Sequence, residues 1–184
     1  TYMQVAAGGC HTVLLKGDGT AVSCGLTPSL PALAHGETFT QVAAGGRHAV
    51  LLKSNGTVVT CGENGDGQCD IPALAHGEAY RQVAAGVSHT VLLKSNGTAV
   101  ECGSTWNLPA LAEGETYRQV AAGGTHTVLL KSNGNAVAYG ANDSGQCNLP
   151  AEHYFVNPAV IPVTPGLVFQ LLADESGFAC LQKL

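Results

Sequence analysis

Apolar positions along the chain come in short blocks separated by glycines and polar turns, with no sustained helical stripe. The first block, Val5-Ala6-Ala7, is followed by glycines and His11. A second run, Val13-Leu14-Leu15, leads into the polar Lys16-Gly17-Asp18-Gly19-Thr20, and a third, Ala21-Val22, follows it. The whole unit then recurs. Copies opening Gln-Val-Ala-Ala-Gly begin at Gln4, Gln41, Gln82 and Gln119, at spacings of 37, 41 and 37 residues. Each copy predicts three short strands, in the first copy Gln4 to Ala7, His11 to Lys16 and Thr20 to Cys24. Asp18-Gly19, Asn55-Gly56 and Asn96-Gly97 sit between the second and third strands. Asp and Asn tolerate positive φ and Gly carries no penalty there, so a tight hairpin turn is expected at each.

The central run His-Thr-Val-Leu-Leu does not alternate cleanly between polar and apolar, which predicts a strand covered on both faces. Three short strands cannot bury two faces alone, but units stacked radially bury them against each other. This points to an all-β propeller of four three-stranded blades, with a β-solenoid as the alternative architecture. The four-residue difference in spacing falls in one place. Gly62 to Cys69 and Gly140 to Cys147 are longer than the stretches after Gly25 and Gly103, which marks a surface loop.

The repeats divide residues 1–150 into units 4–40, 41–81, 82–118 and 119–150. Residues 151–184 leave the pattern, with Pro158, Pro162 and Pro165 in a linker. Leu167 to Leu172 and Phe178 to Leu184 then form a predicted hairpin around Asp174-Glu175-Ser176-Gly177. An isolated hairpin is marginal in water, so this one is expected to dock on the last blade or on a partner. Thr1-Tyr2-Met3-Gln4 aligns with Thr116-Tyr117-Arg118-Gln119, inside a later repeat, so residues upstream are expected to have been removed, which leaves open whether a targeting segment went with them.

Composition narrows the chemistry. The net charge is −5, with eight basic residues against thirteen acidic ones and four of the basic ones dispersed singly at repeated positions, so the clustered basic stripe of a nucleic-acid binder is not seen. No apolar run is long enough for a membrane span. Cys24, Cys61 and Cys102 share one repeat position and Cys69 and Cys147 another, which reads as buried, unpaired packing thiols in a reducing compartment, whether cytoplasm, nucleus or organelle. Val22, Val59 and Val100 should pack on the same side as these first three cysteines.

His11, His48, His89 and His126 recur at one position, as a side chain bonded to the neighbouring blade would, so a structural role is favoured over a metal ring. Asn55-Gly56-Thr57, Asn96-Gly97-Thr98 and Asn142-Asp143-Ser144 match the glycosylation sequon, the first two being already accounted for as turns. No nucleophile elbow, phosphate loop or His-Glu-x-x-His motif is found. No catalytic residue, cofactor, metal or small-molecule substrate is therefore expected.

Val-Ala-Ala-Gly-x-x-His-Thr, Leu-Lys-x-Asn/Asp-Gly and Gly-x-Asn-x-x-Gly-Gln, over about residues 4 to 150, resemble the regulator of chromosome condensation repeat. The short period and the Gln68 to Pro72 and Gln146 to Pro150 endings are similar to the short-repeat type seen in a propeller-type β-lactamase inhibitor. The resemblance implies a seven-bladed propeller that acts by binding proteins. The sequence departs from it in three ways. The usual Trp before the Gly is Cys24, Cys61, Cys102 or Tyr139. Four repeats stand against seven, leaving open whether the ring is complete, and the tail lacks a fifth opening. With Trp106 the sole tryptophan, a photoreceptor built on clustered tryptophans is excluded.

Positions that vary between copies are free to serve a partner. They are Cys10, Arg47, Ser88 and Thr125 before the repeated His, together with Glu63, Asp66, Trp106, Asn142 and Asp143 in the loops. A non-enzymatic module binding a protein through these blade ends is the leading reading. An accessory subunit of a larger, organellar assembly is the second, and an exchange factor is the weakest.

Overall fold

The computed structural model describes residues 1–26 and 29–150, and the backbone of 169–173 and 179–183. No helix occurs among the described residues. Four antiparallel three-stranded sheets follow one another. They are β1 (Tyr2–Ala7), β2 (His11–Lys16) and β3 (Ala21–Gly25); β4 (Phe39–Ala44), β5 (His48–Lys53) and β6 (Val58–Gly62); β7 (Tyr80–Ala85), β8 (His89–Lys94) and β9 (Ala99–Gly103); and β10 (Tyr117–Ala122), β11 (His126–Lys131) and β12 (Ala136–Gly140). A two-stranded hairpin, β13 (Phe169–Ala173) with β14 (Ala179–Lys183), has its first strand against β10, on the last blade. The linker from 151 and the turn expected at 174–177 lie outside the described residues.

Strand order within each blade follows the chain, with the middle strand bonded on both edges. The first strand begins two residues earlier than its apolar pattern predicts. Tyr2 pairs with Lys16 across an irregularity that ends at Gln4, and Phe39, Tyr80 and Tyr117 do the same against Lys53, Lys94 and Lys131.

The hairpin turns form where expected but not through positive φ at Asp or Asn. Among the described residues none other than glycine has positive φ, and Gly19, Gly56, Gly97 and Gly134 turn left-handed there. The Lys16 carbonyl accepts from the Gly19 N–H, and the Lys16 N–H donates to the Thr20 carbonyl. This is the three-residue loop in which glycine follows an ordinary turn. The Asp18 carboxylate instead accepts from the Thr20 N–H and hydroxyl at 2.9 and 2.7 Å. That contact removes Thr20 from the strand and holds the carboxyl below its usual range.

Blades stack with the first strand of one against the first two strands of its predecessor. Three apolar clusters fill the gaps. Val13 and Leu15 of the first blade meet Phe39, Val42, Ala49 and Leu51 of the second. Val50 and Leu52 meet Tyr80, Val83, Leu92 and Cys102. Val91 and Leu93 meet Tyr117, Val120 and Leu129. Both faces of β5 and β8 are consequently buried, while β2 alternates, because its blade is covered on one side only among the described residues.

Polar staples fix the stacking. The Gln4 side-chain amide donates to the Val42 carbonyl and accepts from the Val42 N–H, at 3.2 and 2.9 Å. Gln41 does the same to Val83 and Gln82 to Val120. Each glutamine therefore satisfies an inner-strand peptide that would otherwise be an unpaired buried group.

Candidate functional site: the blade-end surface

The two variable zones of each repeat meet at one end of the blade. The residue before the repeated His and the residue after the third strand are joined by a backbone hydrogen bond. Leu26 N–H donates to the Cys10 carbonyl, Glu63 to Arg47, Ser104 to Ser88 and Ala141 to Thr125, each at 2.9 Å. Glycine permits the approach. At Gly62, with φ +115, any side chain would collide with the carbonyl of Arg47. Zones 16 residues apart in sequence thus form a continuous rim running from blade to blade.

The predicted partner-binding residues differ in how free they are. Arg47, Thr125, Glu63, Asp66 and Asp143 are exposed. Trp106 is 53% exposed, with Val87 at 52% and Leu26 at 79% on the same rim. Cys10 and Ser88 are half-buried, and the Cys10 thiol faces the Gly46 carbonyl at 3.7 Å. Asn142 is exposed, but its amide is used within its own loop, accepting from the Cys147 N–H and donating to Asn148.

Beneath the rim lie the histidines. His48 Nε2 is 2.9 Å from the Thr90 hydroxyl, and His89 Nε2 is 3.1 Å from that of Thr127. Thr90 donates its own proton to the Gln68 carbonyl, so the proton between ring and hydroxyl belongs to His48 Nε2. The rings are neutral. Burial first, and then the charges of neighbouring histidines, lower His48 and His89 to about 4. No group of three or more metal-binding side chains comes together among the described residues.

Three features escaped sequence reasoning. Gln68 is fully buried, and its carbonyl accepts from both Thr90 and the Cys102 thiol, wedging the long loop of the second blade against the third. Tyr139, where the other copies have Cys, donates its hydroxyl to Glu101, which also accepts from Thr127. Burial drives the tyrosine pKa upward, and burial likewise raises Glu101. Finally, Cys24 is exposed, against the expectation of burial, while Cys61 is half-buried and Cys102 buried. Cys61 packs with Val59 and Cys102 with Val100 on one side, as expected, and that side faces the preceding blade, whereas no described residue covers the equivalent face of the first blade. None of the six described cysteines forms a disulfide.

The family described as the regulator of chromosome condensation repeat matches residues 39–68 and 117–146, the second and fourth blades. The chain carries repeats of that family. No curated protein matches it over its sequence. Solved structures supply the fold. Prp20p from Saccharomyces cerevisiae, described with its binding properties to Gsp1p and histones, superposes with a TM-score of 0.67 at 22% identity, over 80% of this chain and 47% of its own. Human WBSCR16 superposes at 0.65 and 19% identity, over 78% and 49%. The entire ectodomain of the receptor kinase CR4 from Physcomitrella patens gives 0.62 and 16%, over 97% and 52%. The regulator of chromosome condensation propeller is therefore the architecture of these blades. The chain spans about half the length of the structures it matches.

Proposed function

We propose that the chain is a non-enzymatic protein-interaction module that holds its partner on the variable blade-end rim. The observation that carries this reading is the hydrogen-bonded convergence of both variable zones at one end of four rigidly stapled blades. A frame whose interior positions repeat can vary its rim without disturbing its core. The rim exposes Arg47 and Trp106, residue types enriched at energetic hot spots, beside the apolar Val87 and Leu26. The protein-binding description of Prp20p, a propeller of the same kind, agrees with such a role.

Amide hydrogen exchange of the chain, free and bound to a partner recovered from its native source, tests the proposal. Protection should gather at residues 9–10, 46–47, 62–66, 87–88, 104–107 and 124–125. Protection confined to the opposite end, at the Lys-x-Asn-Gly turns, would assign binding elsewhere.

A further inference from the structure

The end of the stack opposite the variable rim holds a cavity of about 950 Å³. The residue between the aromatic and the glutamine of each first strand lines it, and across the four blades these are Met3, Thr40, Arg81 and Arg118. Lys16 and Asp18 from the first hairpin turn complete the polar part of the wall.

Neither arginine of this wall has an ion pair among the described residues. Lys53, Lys94 and Lys131 are each paired with a glutamate, Glu37, Glu78 and Glu115, at 2.8 to 2.9 Å. Lys16, their counterpart in the first blade, acts on Asp18, whose carboxyl it helps Thr20 to hold below its usual range. Arg81 reaches across to the next blade, where its Nη2 donates to the Tyr117 carbonyl at 2.6 Å. That carbonyl belongs to the residue immediately before Arg118, so the two arginines are brought to one part of the wall. Asp18 is the one carboxylate among the described residues of the lining, and Thr20 engages it twice. Among the described lining residues Arg81, Arg118 and Lys16 therefore outnumber Asp18 in a concave site, although the chain as a whole carries −5. Concave walls of one sign concentrate the field on an opposite charge, and guanidinium groups bind carboxylates through paired N–H donors.

We infer that this cavity is a second binding site, separate from the variable rim, which takes an acidic segment of a protein other than the rim's partner through Arg81 and Arg118. A peptide suits it better than a lone small anion, because the cavity is open and the exposed Met3 gives it an apolar part beside the charges. Carboxylates would meet the arginines while an adjoining apolar side chain covers that part.

Calorimetric titration with acetyl-Glu-Glu-Leu-Glu-Glu-amide at low ionic strength, with inorganic pyrophosphate as a parallel ligand, tests the assignment. The peptide should bind the parent chain, weaken as salt is added, and bind Arg118→Glu about tenfold or more less tightly. Arg118→Lys should keep part of the affinity, and Arg47→Ala and Trp106→Ala should bind as the parent does. Arg118 is exposed, so its variants should melt with the parent, and thermal denaturation verifies that. Unchanged peptide binding by Arg118→Glu would overturn the site, as would absence of binding to the parent. Pyrophosphate binding as tightly as the peptide would overturn the peptide as occupant.

Discussion

His11 shows how one residue's environment depends on the next blade. His48 and His89 each find a threonine hydroxyl on the following blade, but the residue facing His11 is Ala49. Both of its ring nitrogens are buried without a hydrogen bond, although the backbone of His48 lies near enough to offset part of the lowering that burial imposes on its pKa. An unsatisfied buried polar group costs about 1–3 kcal/mol. Ala49→Thr should therefore raise stability by about 1 kcal/mol, because threonine already occupies this position in the third and fourth blades without disturbing them. Urea denaturation of parent and variant measures it, and a destabilised variant would mean that the tightly packed Ala49 site cannot accept the extra atoms. The sequence showed the repeated histidine and suggested that it bonds to the neighbouring blade. It could not show which residue receives the bond, because the partners lie 38 to 42 positions apart and meet only after stacking.

At the scale of the strand and blade, local pattern carried further. Alternating apolar blocks around Asp-Gly and Asn-Gly located all twelve blade strands to within two residues. The start of the first strand was hidden because Tyr2 pairs across an irregularity, and the turn type because Thr20 and its counterparts satisfy the Asp or Asn side chain. Burial of the repeated cysteines was legible only in part. A third strand is covered by the blade before it, so Cys24, Cys61 and Cys102 form a gradient from exposed to buried. Thiol reactivity should follow that order. At pH 8, Cys24 should be labelled readily, and Cys102 should resist until the protein unfolds, since burial pushes its thiol up to about 11. Mass spectrometry of timed alkylation reads the sites, and rapid modification of Cys102 in the folded protein would show that the second and third blades separate in solution. The variable rim was legible as a set of positions. That its two zones are bonded together was not, because the bond requires the positive φ of Gly62 and its counterparts.

For the molecule as a whole, the row of buried neutral histidines makes stability depend on pH. His48 and His89 are lowered to about 4, and burial lowers His11 and His126 as well. In the unfolded chain all four titrate near 6.5. Between about pH 6.5 and 4 the unfolded state therefore binds more protons, and stability falls as pH falls through that window. The ion-paired Glu37, Glu78 and Glu115 have carboxyls held below their usual range, so their contribution is lost at the acid end, below about pH 4.5. Glu101, raised by burial, works in the opposite sense and softens the slope. The melting temperature should drop steadily from pH 7 to pH 4.5, and less steeply for His89→Gln, which removes one of the two most strongly shifted groups. A flat profile across that range would mean that the histidines are reached by water in solution.

The stack also sets which surfaces can serve partners. The variable rim and the arginine-lined cavity lie at opposite ends of the blades, because each first strand runs from its pairing with the turn lysine to the glycines beside the rim. The most direct measurement of the rim's role is the affinity of the recovered partner for four single variants, Arg47→Ala, Trp106→Ala, Arg81→Ala and Arg118→Ala. Binding through the rim predicts that Arg47→Ala and Trp106→Ala each weaken the complex by about 1–2 kcal/mol or more, roughly ten-fold, while Arg81→Ala and Arg118→Ala cost less. Parent-like affinity in both Arg47→Ala and Trp106→Ala would contradict it.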